Sequence, residues 1–77
     1  MQTFIQLKLF ATLKNYTPEN AARFPIDPGI TVQDLVLRLG IPPGEAKLIF
    51  INNVRSEPDT PLAGGERISI FPPVGGG

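Results

Sequence analysis

The sequence predicts an α+β fold: a mixed sheet of four to five strands with one main helix packed on it. Three observations lead there. Phe4-Ile5-Gln6-Leu7-Lys8-Leu9-Phe10 alternates apolar and polar residues with the period of a strand that is buried on one face. Thr31 to Gly40 carries a helix with its start and stop signals in place. Arg67-Ile68-Ser69-Ile70-Phe71 alternates again, immediately before the chain ends in Pro72-Pro73-Val74-Gly75-Gly76-Gly77.

Taken in order, the first strand points Ile5, Leu7 and Leu9 one way and Gln6, Lys8 and Phe10 the other. Ala11 to Asn20 is polar, is punctuated by Pro18, and reads as a loop. Ala21 to Ile26 reads as a short second strand, and Pro25, lacking an N–H, assigns it to a sheet edge. Asp27-Pro28-Gly29 is a turn. Thr31 is the N-cap of the helix, with Asp34 at the third helical position to complete the cap and favour the positive end of the dipole. Ile30 and Leu35 are spaced as a hydrophobic staple, and Val32, Leu35, Val36 and Leu39 form one apolar stripe. Gly40 closes the helix and Pro42-Pro43 prevent its continuation.

Pro43 to Lys47 is a turn or one turn of helix, and Leu48-Ile49-Phe50-Ile51 is a continuous apolar strand. Asn52-Asn53 tolerates positive φ and suits a tight hairpin into Val54-Arg55. Ser56 to Pro61 is a polar loop, and Gly64-Gly65 turns the chain into the last strand, Glu66 to Phe71. The economical core is Ile5, Leu7, Leu9, Val32, Leu35, Val36, Leu39, Ile68 and Ile70 between sheet and helix. A strand and its partner, a crossover helix and later strands make the β-grasp order, with the first and last strands parallel at the centre. Residues 1–71 form that domain and residues 72–77 an extended, flexible C-terminal tail. Phe10 and Phe71 then share the face away from the helix. Either a partner covers them, or the loop from Asn52 to Leu62 folds over them.

Composition narrows the chemistry. Seventy-seven residues contain no cysteine and no histidine, which removes disulfides, thiolate metal sites, a cysteine nucleophile and the commonest general base. Seven acidic and seven basic residues cancel, so no excess of positive charge points to nucleic acid or an anionic membrane. No stretch has the length of a membrane span or the pattern of a signal peptide, and a cytoplasmic location is the default expectation. Asp27, Asp34, Asp59, Glu45, Glu57 and Glu66 are scattered at turns and helix ends, where caps and solvated charges account for them. A stand-alone catalyst is not expected.

The tail offers a different chemistry. Two prolines stop ladder pairing and stiffen the exit, and glycines then remove every side chain ahead of the Gly77 carboxylate. Extended, Pro72 to Gly77 reaches roughly 20 Å at about 3.3 Å per residue, enough to enter a narrow tunnel in another protein. The alternative is a plain disordered end.

Leu62-Ala63-Gly64-Gly65-Glu66-Arg67-Ile68-Ser69-Ile70 followed by Phe-Pro-Pro-Val-x-Gly-Gly at residues 71–77 resembles the MoaD/ThiS family of sulfur carriers, closest to its MoaD branch. Lys8-Leu9-Phe10-Ala11, Ile30 to Leu35 and Ile51-Asn52-Asn53 match as well; the family pattern leaves position 75 free, and glycine stands there. The resemblance implies a ubiquitin-like β-grasp carrier that binds no cofactor and catalyses nothing itself. A MoeB-like E1 adenylating enzyme would use ATP to activate Gly77, and a sulfur donor protein would displace AMP to leave a thiocarboxylate. The loaded tail would then enter a MoaE-like large subunit, in a heterotetramer, and deliver sulfur to the pterin precursor of a molybdenum or tungsten cofactor. Gly76 and Gly77 are the reacting end, and glycine leaves the acyl carbon open to attack. Phe10, Phe71, Pro72, Pro73, Val74 and Gly75 are the expected partner-binding residues. Glu66 and Arg67 tune encounter or keep the strand end soluble. Two other acceptors fit the same tail: a thiazole or other sulfur metabolite, as for ThiS, or protein lysines, as for a ubiquitin-like modifier.

Overall fold

The computed structural model describes residues 2–73. β1 (Thr3–Leu9), β2 (Phe24–Ile26), β3 (Leu48–Ile51), β4 (Val54–Ser56) and β5 (Arg67–Phe71) form one sheet in the order β2-β1-β5-β3-β4, crossed on one face by α1 (Val32–Arg38). β1 and β5 are parallel, with Leu7 opposite Ile68 and Leu9 opposite Ile70. The other pairs are antiparallel. This is the β-grasp arrangement, and the last strand occupies its middle position.

Local chemistry sets the helix. The Thr31 hydroxyl accepts from the Asp34 N–H at 3.1 Å and the Asp34 carboxylate accepts from the Thr31 N–H at 3.1 Å, so two of the unpaired N-terminal donors are satisfied reciprocally. Gly40, at φ +81, takes the left-handed position beyond the last turn. Pro25 lies on the outer strand, opposite Phe4. Asn52 and Asn53, at φ 52 and 69, make the two-residue turn between β3 and β4.

Ile5, Leu7, Leu9, Val32, Leu35, Val36, Ile68 and Ile70 are buried between sheet and helix, while Leu39 caps α1 and packs from the margin. Five further residues complete the core: Leu13, Ile26, Ile41, Ile49 and Leu62. Leu13 corrects the expected loop after β1. Ala11–Tyr16 is a 3-10 helix that drives the Leu13 side chain inside, to 1% exposure. The chain enters it through Ala11 at φ 53. The second strand is also shorter than expected, because Ala21–Arg23 forms a 3-10 turn and pairing starts only at Phe24.

The segment after β4 runs to the helix side. Val32 N–H donates to Thr60 O at 3.1 Å and Gln33 N–H to Pro58 O at 2.8 Å, so loop carbonyls satisfy the remaining first-turn donors of α1. Leu62 is buried as a consequence, and of the two readings for Phe10 and Phe71, cover by this loop is the one that fails. The opposite face of the sheet keeps no covering element of its own among the described residues.

Candidate functional site

Strand register arranges the uncovered face in rows. Lys8 lies opposite Ser69, Ser69 opposite Phe50, and Phe50 opposite Arg55, so one row crosses four strands. Gln6 and Arg67 form the row before it. Phe71 and Leu48 form the row after it, and Phe10 joins them, its N–H donating to Ile70 O at 3.2 Å.

Three aromatic rings meet at the end where β5 finishes. Phe10 and Phe71 stack with centroids 4.2 Å apart and planes 7° from parallel, while Phe50 meets Phe71 edge-on at 5.7 Å and 82°. All three are half-buried. With Asn53 and Ser69 they line an open hollow of about 300 Å³. The stack has a sequence cause: the parallel register brings the residue after β1 beside the last residue of β5, with matching parity. Phe50 was missed, because Leu48–Ile51 is apolar throughout and shows no alternation from which to assign faces. Its register opposite Ser69 decides it.

The exit from β5 is held on its β3 side. Lys47 N–H donates to Phe71 O at 3.0 Å, and Phe71 sits in register with Leu48. Pro72 follows half-buried and Pro73 exposed. Two of the expected partner-binding residues, Phe10 and Phe71, are thus side by side, with Pro72 and Pro73 continuing from the second. Val74, Gly75, Gly76 and Gly77 lie outside the described residues.

Glu66 has a structural task. Its carboxylate accepts from the Ala63 N–H at 2.8 Å and the Gly64 N–H at 2.7 Å, tying the turn that feeds β5. Arg67 is partly engaged: its N–H donates to Asn52 Oδ1 at 3.0 Å and its Nε to Gln6 Oε1 at 3.3 Å. Among the described residues no cluster of three acidic side chains could hold a metal ion. No described helix is long and apolar enough to cross a membrane.

Comparison with known proteins agrees with this arrangement. The ThiS family model matches residues 7–77. No curated protein is similar enough in sequence to count as a relative. Among solved structures, the HVO 2177 protein of Haloferax volcanii has a TM-score of 0.76 at 26% identity, over 99% of this chain and 88% of its own. Small archaeal modifier protein 1 of the same organism has a TM-score of 0.67 at 19% identity, over 94% of this chain and 99% of its own. A candidate molybdopterin converting factor, subunit 1, of Pyrococcus furiosus has a TM-score of 0.64 at 19% identity, over 94% of this chain and 99% of its own.

Proposed function

The chain belongs to the ThiS family of ubiquitin-fold sulfur carriers and modifiers, and from that premise we propose that it is a sulfur carrier of the MoaD type, the small subunit of a molybdopterin synthase. An E1-like enzyme joins the Gly77 carboxylate to AMP from ATP, releasing pyrophosphate. Adenylation turns a poor acyl donor into one with a good leaving group. A sulfur nucleophile from a donor protein then displaces AMP, and the resulting thiocarboxylate passes its sulfur to a pterin precursor held by the large subunit.

One observation supports this reading above the others. The middle strand of the sheet ends beside an uncovered aromatic hollow and runs directly into Pro72-Pro73 and the Gly-Gly terminus. A partner that seats the rings has the reacting end within roughly 20 Å, six residues at about 3.3 Å each. Ordering a glycine-rich segment costs about 1–2 kcal/mol per residue, and burying Phe10, Phe50 and Phe71 offsets it.

A modifier reading is favoured by the likeness to small archaeal modifier protein 1. Intact-mass analysis of the chain from its native cells separates the two. A free chain with one carboxyl oxygen replaced by sulfur supports the carrier, and a ladder of conjugates through Gly77 supports the modifier. The acceptor is tested by loading thiocarboxylated chain with a large synthase subunit and, separately, with a thiazole synthase. Dithiolene formation only with the first is the expected result, and sulfur transfer only to the second would move the chain to the thiazole branch.

A further inference from the structure

A separate groove runs along β1, toward the end of the sheet where β5 begins. One part, a hollow of about 360 Å³, is walled by Lys8, Arg67, Gln6 and Ala22. A second part, of about 190 Å³, shares Gln6 and Ala22 with the first and ends at Phe4 and Gly65. Neither part shares a residue with the hollow of Phe10, Phe50 and Phe71. From Phe4 to Lys8 the groove follows β1 for four residues, about 13 Å at ~3.3 Å each.

Its two ends differ in chemistry. Lys8 and Arg67 are exposed at one end, and no carboxylate lines it. The Glu66 carboxylate is consumed by its own turn, and Arg67 Nε donates to Gln6 Oε1, which leaves the two terminal guanidinium nitrogens for another acceptor. Leu7 also lines this end, with its backbone, because its side chain is buried on the helix face. The Gln6 N–H donates toward β5, so the Leu7 N–H points away from it, and β2 pairs only with Thr3, Phe4 and Ile5. That N–H is therefore left without a ladder partner. The other end is apolar: Phe4 is 38% exposed even with the Arg23 guanidinium over its ring, 4.3 Å from the centroid. Between the ends, Ala22 and Gly65 leave room for backbone and for little else.

We infer that this groove holds the last four residues of a second copy, Val74 to Gly77, with Val74 at Phe4 and the Gly77 carboxylate between Lys8 and Arg67. The match is in length and in order: four extended residues span about 13 Å, and they carry one apolar side chain, then none, then an anion. Two cations and an unpaired backbone N–H suit a terminal carboxylate. The chain cannot fill its own groove. Val74 is three residues beyond Phe71, about 10 Å of chain, whereas Phe4 lies six residues behind Phe10, about 20 Å down the neighbouring strand. The contact is head to tail, so it does not close and grows with concentration. The inference goes beyond the carrier reading and rests on it only for the free carboxylate at Gly77. A carboxylate held this way is withheld from adenylation until a partner takes the tail.

The test is amide chemical-shift mapping on the full chain, with the synthetic peptide Pro-Pro-Val-Gly-Gly-Gly as probe. Saturable shifts are expected at Phe4 to Lys8, Ala22, Gly65 and Arg67. Amidating the peptide's carboxylate should weaken binding about tenfold, the scale of one charged hydrogen bond. Lys8→Gln, Arg67→Gln should do the same, while Arg38→Gln on α1 should change binding by less than about twofold. Ala22→Leu obstructs the groove without altering charge and should remove the Gln6 and Gly65 shifts. Without peptide, the same amides should move as the chain is concentrated, and deleting Gly76-Gly77 should stop them. Equal binding of acid and amide peptides would overturn the inference, as would shifts centred on Phe10, Phe50 and Phe71. Peptide binding with no concentration dependence in the chain alone would overturn the second copy as occupant. The peptide brings its own carboxylate, so none of these outcomes depends on sulfur loading, and the carrier reading stands or falls separately on the intact mass.

Discussion

Replacing Gly64 by alanine tests whether the turn into β5 is set by steric necessity. Gly64 has φ +121, and a Cβ built there would fall on the Thr3 side chain, 2.8 Å from its Cβ and closer still to its Oγ1. Gly65, at φ +84, is an internal control, since a Cβ there meets nothing within 4 Å. For Gly65→Ala the cost is the backbone one alone, about 1–2 kcal/mol. For Gly64→Ala a sparsely populated backbone region adds about 1–3 kcal/mol, and the forced overlap with Thr3 about 1–3 kcal/mol more. The sum, about 2–6 kcal/mol, is a large share of the roughly 4–12 kcal/mol that ~0.05–0.15 kcal/mol per residue allows a chain of this length. Urea unfolding followed by circular dichroism measures it, with an unchanged slope indicating that the native state has kept its compactness. Thr3→Ala removes the nearest atoms and should recover about 1 kcal/mol of the Gly64→Ala loss in a double-mutant cycle. The steric reasoning is refuted if Gly64→Ala costs no more than Gly65→Ala, or if Thr3→Ala gives no relief. The turn matters for the site because the Gly65 N–H donates to Phe4 O at 2.7 Å and the Gln6 N–H to Glu66 O at 2.9 Å, starting the β1–β5 register. A slip of one residue would send Phe71 to the helix face.

The other expectations are smaller in scope. Thr31→Ala removes one half of the reciprocal cap on α1 and should cost about 0.5–2 kcal/mol, read as a lowered urea midpoint. Leu13→Ala leaves a cavity under the 3-10 helix Ala11–Tyr16 and should cost about 2–5 kcal/mol, against a fraction of that if the segment were the solvated loop its polarity suggests. Phe10→Leu and Phe71→Leu should show a coupling of about 0.5–1.5 kcal/mol in unfolding, the share of the stack beyond simple burial. A coupling of zero would mean the rings are neighbours without interaction. In ATP–pyrophosphate exchange with an adenylating enzyme, the proposed carrier reading expects each Phe→Leu variant to raise KM before it touches kcat, because Phe71 stands six residues before the Gly77 carboxylate in the sequence.

Much of this fold was legible because its signals are local. A capping box is chemistry between residues three apart, and Thr31 and Asp34 form it as their spacing requires. Period-two alternation assigned faces in β1 and β5, and parity alone put Phe10 and Phe71 on one side. What stayed hidden depends on contacts that are distant in sequence. Leu13 is a lone apolar residue among polar neighbours, and only the left-handed backbone at Ala11 turns it inward. Phe50 belongs to a run without alternation, so its face follows from β5 and from nothing nearby. The path of residues 57–62 is not legible for a related reason. Polarity marks the segment as a loop, but its direction is chosen by the unpaired N–H groups at the start of α1, which attract the carbonyls of Pro58 and Thr60.

These distant contacts share a consequence for the site. The loop that could have covered the aromatic rings is held on the opposite face by the donors of α1, and Leu62 is buried there with it. Helix, long loop and the carboxylates of Asp34, Glu57 and Asp59 therefore share one side, and the sheet's other side carries the three rings with Lys8, Arg55 and Arg67. β5 is both the last strand and the middle one, so its final residue is held by β3 on one side and stacked on Phe10 on the other. A strand at the sheet edge would fray under a pull on the segment that follows it, whereas here the pull is shared by two ladders. On the proposed carrier reading, docking at the rings and handling of the terminus would be mechanically one event: a partner that grips the open face would also fix the origin from which Pro72-Pro73 departs. That coupling needs the parallel β1–β5 register, which is why a glycine turn far from the terminus belongs to the functional description of this chain.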